Sequence, residues 1–122
     1  MSSISGSAVS DFLPGKKAVL LTLNRWTGTS ASYQTVVSYT VPEGKKAQLS
    51  GLEIAASDYT KAQIRVTIAG VEQIADKYLQ TPFNPVFPNV VLVAGDIVLI
   101  EAHSDGSTSI DVDGSIEGKE VG

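Results

Sequence analysis

The chain has 122 residues, a formal charge of −4, 43% hydrophobic residues and no cysteine. That length suits one domain able to bury roughly two-thirds of its unfolded surface. The missing cysteines exclude a disulfide framework and a thiolate metal site, and an acidic chain without a basic stripe argues against nucleic acid as the main partner.

The charge is unevenly spread. Residues 1–61 hold six Lys/Arg against four Asp/Glu, and residues 62–122 hold three against nine. The pairs Lys16-Lys17 and Lys45-Lys46 read as solvated turn residues. No apolar run approaches the roughly 18 residues of a membrane span, so no membrane partner is expected. The opening "MSSISGSAVSDF" lacks the basic end and apolar middle of a secretory signal.

Residues 1–15 are Ser-rich, nearly uncharged and end in "LPG", the composition of an extended N-terminal arm. Residues 16–122 are expected to form a single domain. Its first strand is "AVLLTLN", rich in strand formers and closed by "TGTSAS". "SYQTVVSYTV" alternates, with Tyr33, Thr35, Val37, Tyr39 and Val41 assigned to one face. "VPEG" then reads as a turn over Val41 to Gly44, with proline second and glycine fourth.

In "KKAQLSGLEIAA" the apolar phase passes from Ala47 and Leu49 to Leu52 and Ile54, one residue out of step, which predicts a β-bulge at Gly51. "AQIRVTIAG" is the cleanest alternation, with Ile64, Val66 and Ile68 on one side. "VEQIADKYLQ" also fits a helical stripe, but its β surroundings favour a strand. "NVVLVAGDIVLIEAHS" gives two strands around Ala94-Gly95-Asp96, and "TSIDVDGSIEG" alternates with Ile110, Val112 and Ile116 inward. "VPEGKKAQL" and "LVAGDIVLI" echo one another and place two similar turns at one end of the molecule. About eight short strands without a helix predict an all-β fold, a two-sheet antiparallel β-sandwich of the jelly-roll type.

Between strands lies "TPFNPVFPNVV", with Pro82, Pro85 and Pro88 at the period of polyproline II. The segment reads as a stiff crossover between sheets whose prolines cannot extend an edge. Phe83 and Phe87 either plug the end of the sandwich or anchor a neighbour.

Candidate chemistry is thin. His103 is the one histidine and has no nucleophile-elbow motif, phosphate loop or metal-ligand spacing to work with. Asp111, Asp113, Ser115 and Glu117 share one strand face, but alternate residues stand almost 7 Å apart, too far to close round one ion. They read as a polar face opposite a buried one. No catalytic residue, metal ligand or cofactor is assigned, and the chain is not expected to be an enzyme. Trp26, Tyr33 and Tyr39 could pack the core, serve an interface or make a sugar-stacking platform.

"VPEGKKAQLSGLEI", "IRVTIAG" and "VVLVAGDIVLIEAHSDG" together resemble the small jelly-roll accessory proteins of tailed phage and related virions, in particular capsid decoration (cement) proteins. The resemblance spans residues 36–116 and lies in the pattern of turns and strands. It implies a homotrimeric knob on the outer surface of a virion, made in the host cytoplasm, whose partners are copies of itself and the major capsid protein or other virion proteins. Under that reading residues 1–15 lie across a neighbour. Phe12, Leu13, Trp26, Phe83 and Phe87 supply buried contacts, and Lys16-Lys17 or Lys45-Lys46 face acidic segments such as residues 117–120. The alternative is a carbohydrate- or receptor-binding jelly-roll module of a head or tail fibre, using Trp26, Tyr33 and Tyr39.

Overall fold

The computed structural model describes residues 17–122, so the expected arm, with Phe12, Leu13 and Lys16, lies outside the described residues. The described chain forms β1 (Lys17–Gly28), β2 (Gln34–Thr40), β3 (Lys46–Ala56), β4 (Gln63–Ile68), β5 (Val71–Tyr78), β6 (Val86–Val93), β7 (Ile97–His103) and β8 (Ile110–Val121). Two four-stranded antiparallel sheets result, in the orders β1-β8-β3-β6 and β2-β7-β4-β5. Only the β4–β5 hairpin stays within one sheet. Every other connection crosses, and this is the jelly roll expected from the sequence.

Alternation drives the arrangement. Along β4, Ile64, Val66 and Ile68 are buried while Gln63, Arg65 and Thr67 are half-exposed. The core lies between the sheets and includes Leu49, Ile54, Ile100, Val112 and Ile116. Residues 71–78 are a strand, because Ile68 and Val71 are joined by Ala69 and Gly70, with φ of +51° and +80°. Two positive φ values give the primed turn that holds a tight hairpin.

The two echoing turns do share one end of the sandwich. Val41 N–H donates to the Asp96 carbonyl at 2.9 Å, and Gly95 N–H donates to the Val41 carbonyl at 3.0 Å. The first turn closes one residue later than "VPEG" implied. Lys45 N–H donates to the Pro42 carbonyl at 3.1 Å, so Gly44 is third in the turn, with φ +80°. That is the position where such a turn needs a residue tolerant of positive φ. Gly95 plays the same part in the second turn, with φ +91° and a 3.0 Å bond from Asp96 N–H to the Val93 carbonyl.

The bulge at Gly51 is present as a register shift between Leu49 and Gly51. A second, unforeseen one corrects the even alternation read for β2. Its register shifts between Thr35 and Val37, which buries Val36 and Val37 together and exposes Thr35. Gly114 makes the room: a Cβ there would stand 3.0 Å from Val37 Cγ1 and 3.1 Å from Val36 Cγ1.

The proline segment carries the chain from β5 in one sheet to β6 in the other, as a crossover should. It is pinned to β3: Leu52 N–H donates to the Pro85 carbonyl at 3.1 Å, and Phe83 forms a bridge with Ile54. Phe83 and Phe87 are half-buried against the core. Pro88 falls in β6, an edge strand, where a missing N–H costs no ladder bond.

Candidate interaction face

The outer faces of the two sheets differ in kind. On the β2-β7-β4-β5 sheet, polar side chains satisfy one another. Arg65 Nε donates to Glu101 Oε1 at 2.8 Å, and its guanidinium lies 4.2 Å from the centre of the Tyr33 ring. Tyr33 meets His103 edge to face at 4.6 Å, and its hydroxyl donates to Asp76 Oδ1 at 2.7 Å. Burial, and then the bond to Asp76, push the Tyr33 phenol up to about 12. Asp76 has φ +53° and returns its own N–H to the Tyr33 oxygen at 2.8 Å. This cluster already has its partners.

The outer face of the β1-β8-β3-β6 sheet is built otherwise. Strict alternation on β1 turns Leu20, Thr22 and Trp26 toward the core and Val19, Leu21 and Leu23 toward solvent, at 85%, 57% and 66% exposure. Across the sheet, Val86, Val91 and Val93 of β6 are also exposed. Aliphatic side chains in a row on one strand face form a contiguous patch, unlike apolar residues scattered singly.

Among the described strands, the one carrying this row is also the least protected edge. β6 contains Pro88, β5 pairs through two register shifts, and β2 is bulged. Each is a device that keeps an edge from pairing with another chain. β1 has none: it pairs with β8 over twelve consecutive residues without a shift, and among the described strands it is at the sheet edge.

Beside the row, Leu23, Arg25, Glu53, Ala55, Asp113 and Ser115 line a groove of about 580 Å³. Arg25 closes one end, with Nε donating to Asp113 Oδ1 at 2.6 Å, Nη2 to Asp113 Oδ2 at 3.0 Å, and Nη1 lying 3.7 Å from Asp111 Oδ2. That paired geometry holds the Asp113 carboxyl below its ordinary range. Thr27 donates to Asp111 at 2.7 Å, so these two acids serve Arg25 and Thr27. At the floor is Ser115, flanked in register by Leu23 and Glu53. It faces outward because its neighbours Gly114 and Ile116 face the core, yet it is only 8% exposed and its Oγ has no hydrogen-bond partner among the described residues. A covered hydroxyl without a partner is uncommon in a folded protein.

The sequence-selected residues are dispersed. Trp26 and Tyr39 point between the sheets against the core, and the Tyr39 hydroxyl donates to Glu120 Oε2 at 2.6 Å. Tyr33 sits on the outside of the opposite sheet, so the three rings do not share one face. Phe83 and Phe87 lie on the β6 side, away from β1. Lys17 begins β1. Lys45 meets Glu120 of its own chain at 3.5 Å, because the start of β3 runs beside the end of β8. His103 ends β7, with Nδ1 2.7 Å from the Ser104 carbonyl oxygen. Sequence reasoning passed over Leu21, Leu23 and Glu53. The available signal was parity: in "AVLLTLN" both alternate sets include an aliphatic residue, and one set must face out.

The fold and this face define a jelly-roll β-sandwich with a paired polar cluster on one outer surface and an aliphatic row on the other. No protein family matches the chain, and no curated protein does. Among solved structures, the capsid asymmetric unit of cyanophage Pam1 is similar at 15% identity and a TM-score of 0.45, over 96% of this chain and 99% of that one. The CBM36-1 domain of a multidomain xylanase from the hindgut metagenome of Trinervitermes trinervoides is similar at 14% identity and a TM-score of 0.39, over 88% and 97%. At such values neither likeness bears on what this chain does.

Proposed function

We propose that this chain is a non-catalytic structural protein that works by being packed against other polypeptides, a virion component of the capsid-decoration kind. The observation that carries the reading is the solvent-facing row Val19, Leu21 and Leu23 on a strand that is an unblunted edge among the described strands. Fully covering an aliphatic side chain of this size is worth about 1.5–3 kcal/mol, so three in a row supply a strong apolar drive to association. The opposite sheet also exposes Val71, Tyr78 and Ile97, but without three alternate aliphatic residues in a row on one strand. The carbohydrate reading lacks such support, since Trp26, Tyr33 and Tyr39 are not gathered on one surface.

The test is co-sedimentation of the tagged chain with shells assembled from the coat protein of the virus that carries it. The wild-type chain should pellet with shells to a saturating ratio, and a folded Leu21→Glu, Leu23→Glu variant should stay in the supernatant. Wild-type chain that never pellets, or that is retained by a particular glycan on an array, would overturn the reading.

A further inference from the structure

The aliphatic row has charges sorted on either side of it. On the outer face of β1, β8 and β3, Lys46 and Lys119 lie toward one end of the strands, and three acids, Glu53, Asp113 and Asp111, outnumber Arg25 toward the other. Leu21 and Leu23 fall between. Among the described residues, Glu53, Glu117 and Lys119 have no ion-pair partner. A surface with opposite charges at its two ends and an apolar middle complements itself when it is turned end for end.

We propose that a second copy of this chain covers this face, related by a two-fold axis lying in the plane of the sheet and running across the strands, between the levels of Leu21 and Leu23. The inference rests on reading this face as a contact surface. The registers fix what such an axis brings together. Leu21 of each copy lies over the partner's Leu23. Level with Leu21 and Leu23 on β8 are Glu117 and Ser115, so Glu117 of each copy faces the partner's Ser115. Lys119 is level with Val19 and Asp113 with Arg25, so Lys119 of each copy faces the partner's Asp113, with the partner's Glu53 diagonal to it, one strand over and two residues nearer the axis.

This arrangement gives the covered groove its occupant. The lysine stem runs along Leu23 and Ala55, and its ammonium lies between Asp113, already held by Arg25, and Glu53, which has no cation among the described residues. Glu117 of each copy sits over the partner's Ser115, whose hydroxyl is covered by its own chain. An axis parallel to the strands would instead set lysine against lysine and carboxylate against carboxylate. Isologous contacts of this kind close after two copies, so the geometry points to a pair and not to the three-fold knob that the resemblance implies. Size is adequate too. Four strands about 4.8 Å apart and some eight residues long present roughly 500 Å² per copy in projection, so two copies reach the total of about 1,000 Å² that a specific interface needs.

The experiment is sedimentation equilibrium of the full chain across a dilution series, with circular dichroism as the control for folding. The wild type should be a reversible dimer, and Leu21→Glu should be monomeric. Lys119→Glu and Glu53→Lys should each weaken the dimer about tenfold or more, since like charges then face one another. The double variant Lys119→Glu, Glu53→Lys should recover to within a few-fold of wild type, because symmetry restores both pairs. Should Leu21→Glu fail to fold, the charge-reversal series decides alone. A wild type that is monomeric throughout, a trimer, or a dimer indifferent to the reversals and their combination would overturn the pairing. A monomer that still pellets with shells through Leu21 and Leu23 would sink the pairing and keep the structural role. A dimer that never meets a shell would do the reverse.

Discussion

Phe83 and Ile54 exchange both backbone hydrogen bonds, each N–H donating to the other's carbonyl oxygen at 2.8 Å. One link of the proline-rich crossover is thereby held to the side of β3, and the Phe83 ring rests on the core that Ile54 helps to form. The prolines on either side limit how far the segment can stray before that bond forms. A rigid, apolar connection therefore stands where a polar turn would leave the sandwich open.

Ile54 is fully buried beneath this bridge. Ile54→Ala should cost about 2–5 kcal/mol in urea denaturation, the range for removing a core aliphatic side chain. Phe83→Ala should cost less, since its ring is half-exposed and its backbone bonds survive. Equal stability of Ile54→Ala and wild type would contradict the core assignment.

Gly118 and Gly44 separate two reasons for glycine. A Cβ on Gly118 would collide with the Gln48 carbonyl oxygen, a backbone atom of the neighbouring strand that cannot turn away. A Cβ on Gly44 meets nothing within 4 Å, and only its φ of +80° resists substitution. Gly118→Ala should cost about 1–3 kcal/mol or more, and Gly44→Ala about 1 kcal/mol. Urea melts check the order, and Gly118→Ala melting like wild type would refute the collision.

Acid should weaken the fold through Asp105. Its carboxylate accepts hydrogen bonds from Ser107 N–H at 2.9 Å, Thr108 N–H at 2.7 Å and the Thr108 hydroxyl at 2.8 Å, which hold it well below the usual range. Hydrogen bonds from Thr60 lower Asp58, and Arg25 lowers Asp113. In the unfolded chain such groups take up protons near a pH of about 3.9, but in the native chain only lower. Their stabilisation is complete above the unfolded value and fades as pH falls toward the native ones. The melting temperature should drop steadily below about pH 4.5. Asp105→Asn should melt lower at neutral pH and show a shallower acid slope, whereas parallel slopes would exclude Asp105 as a contributor.

Alkali should act through Tyr33 and Tyr39, both raised first by burial and then by bonds to Asp76 and Glu120. Each favours its neutral form in the fold. Their stabilisation is therefore present below the ordinary phenol value of about 10 and lost as pH climbs through the native values. Tyr33→Phe and Tyr39→Phe should leave the tyrosinate absorbance gained near a pH of about 10 unchanged. A fall in that amplitude for either variant would show that the phenol ionises as it does in water.

The strands were legible because one buried face imposes a period of two on the sequence, plainly in β4 and β8. Even the Gly51 bulge left a local trace, the slip between Leu49 and Leu52. The bulge in β2 left none. Two adjacent valines are buried there because Gly114, far along the chain, has no side chain to oppose them. The Arg65, Tyr33, His103 and Asp76 cluster was equally hidden, its members drawn from four separate segments.

By itself the sequence determined the sandwich and its two glycine turns, because alternation and turn chemistry act over a few neighbouring positions. Only the tertiary structure decided which side of β1 meets solvent. In "AVLLTLN" aliphatic residues occur at both parities, and the choice between Leu20 and the Val19–Leu21–Leu23 row falls to the sheet packed behind. The candidate interaction face follows from that choice, since a side chain becomes surface or core only when another layer covers one of the two faces.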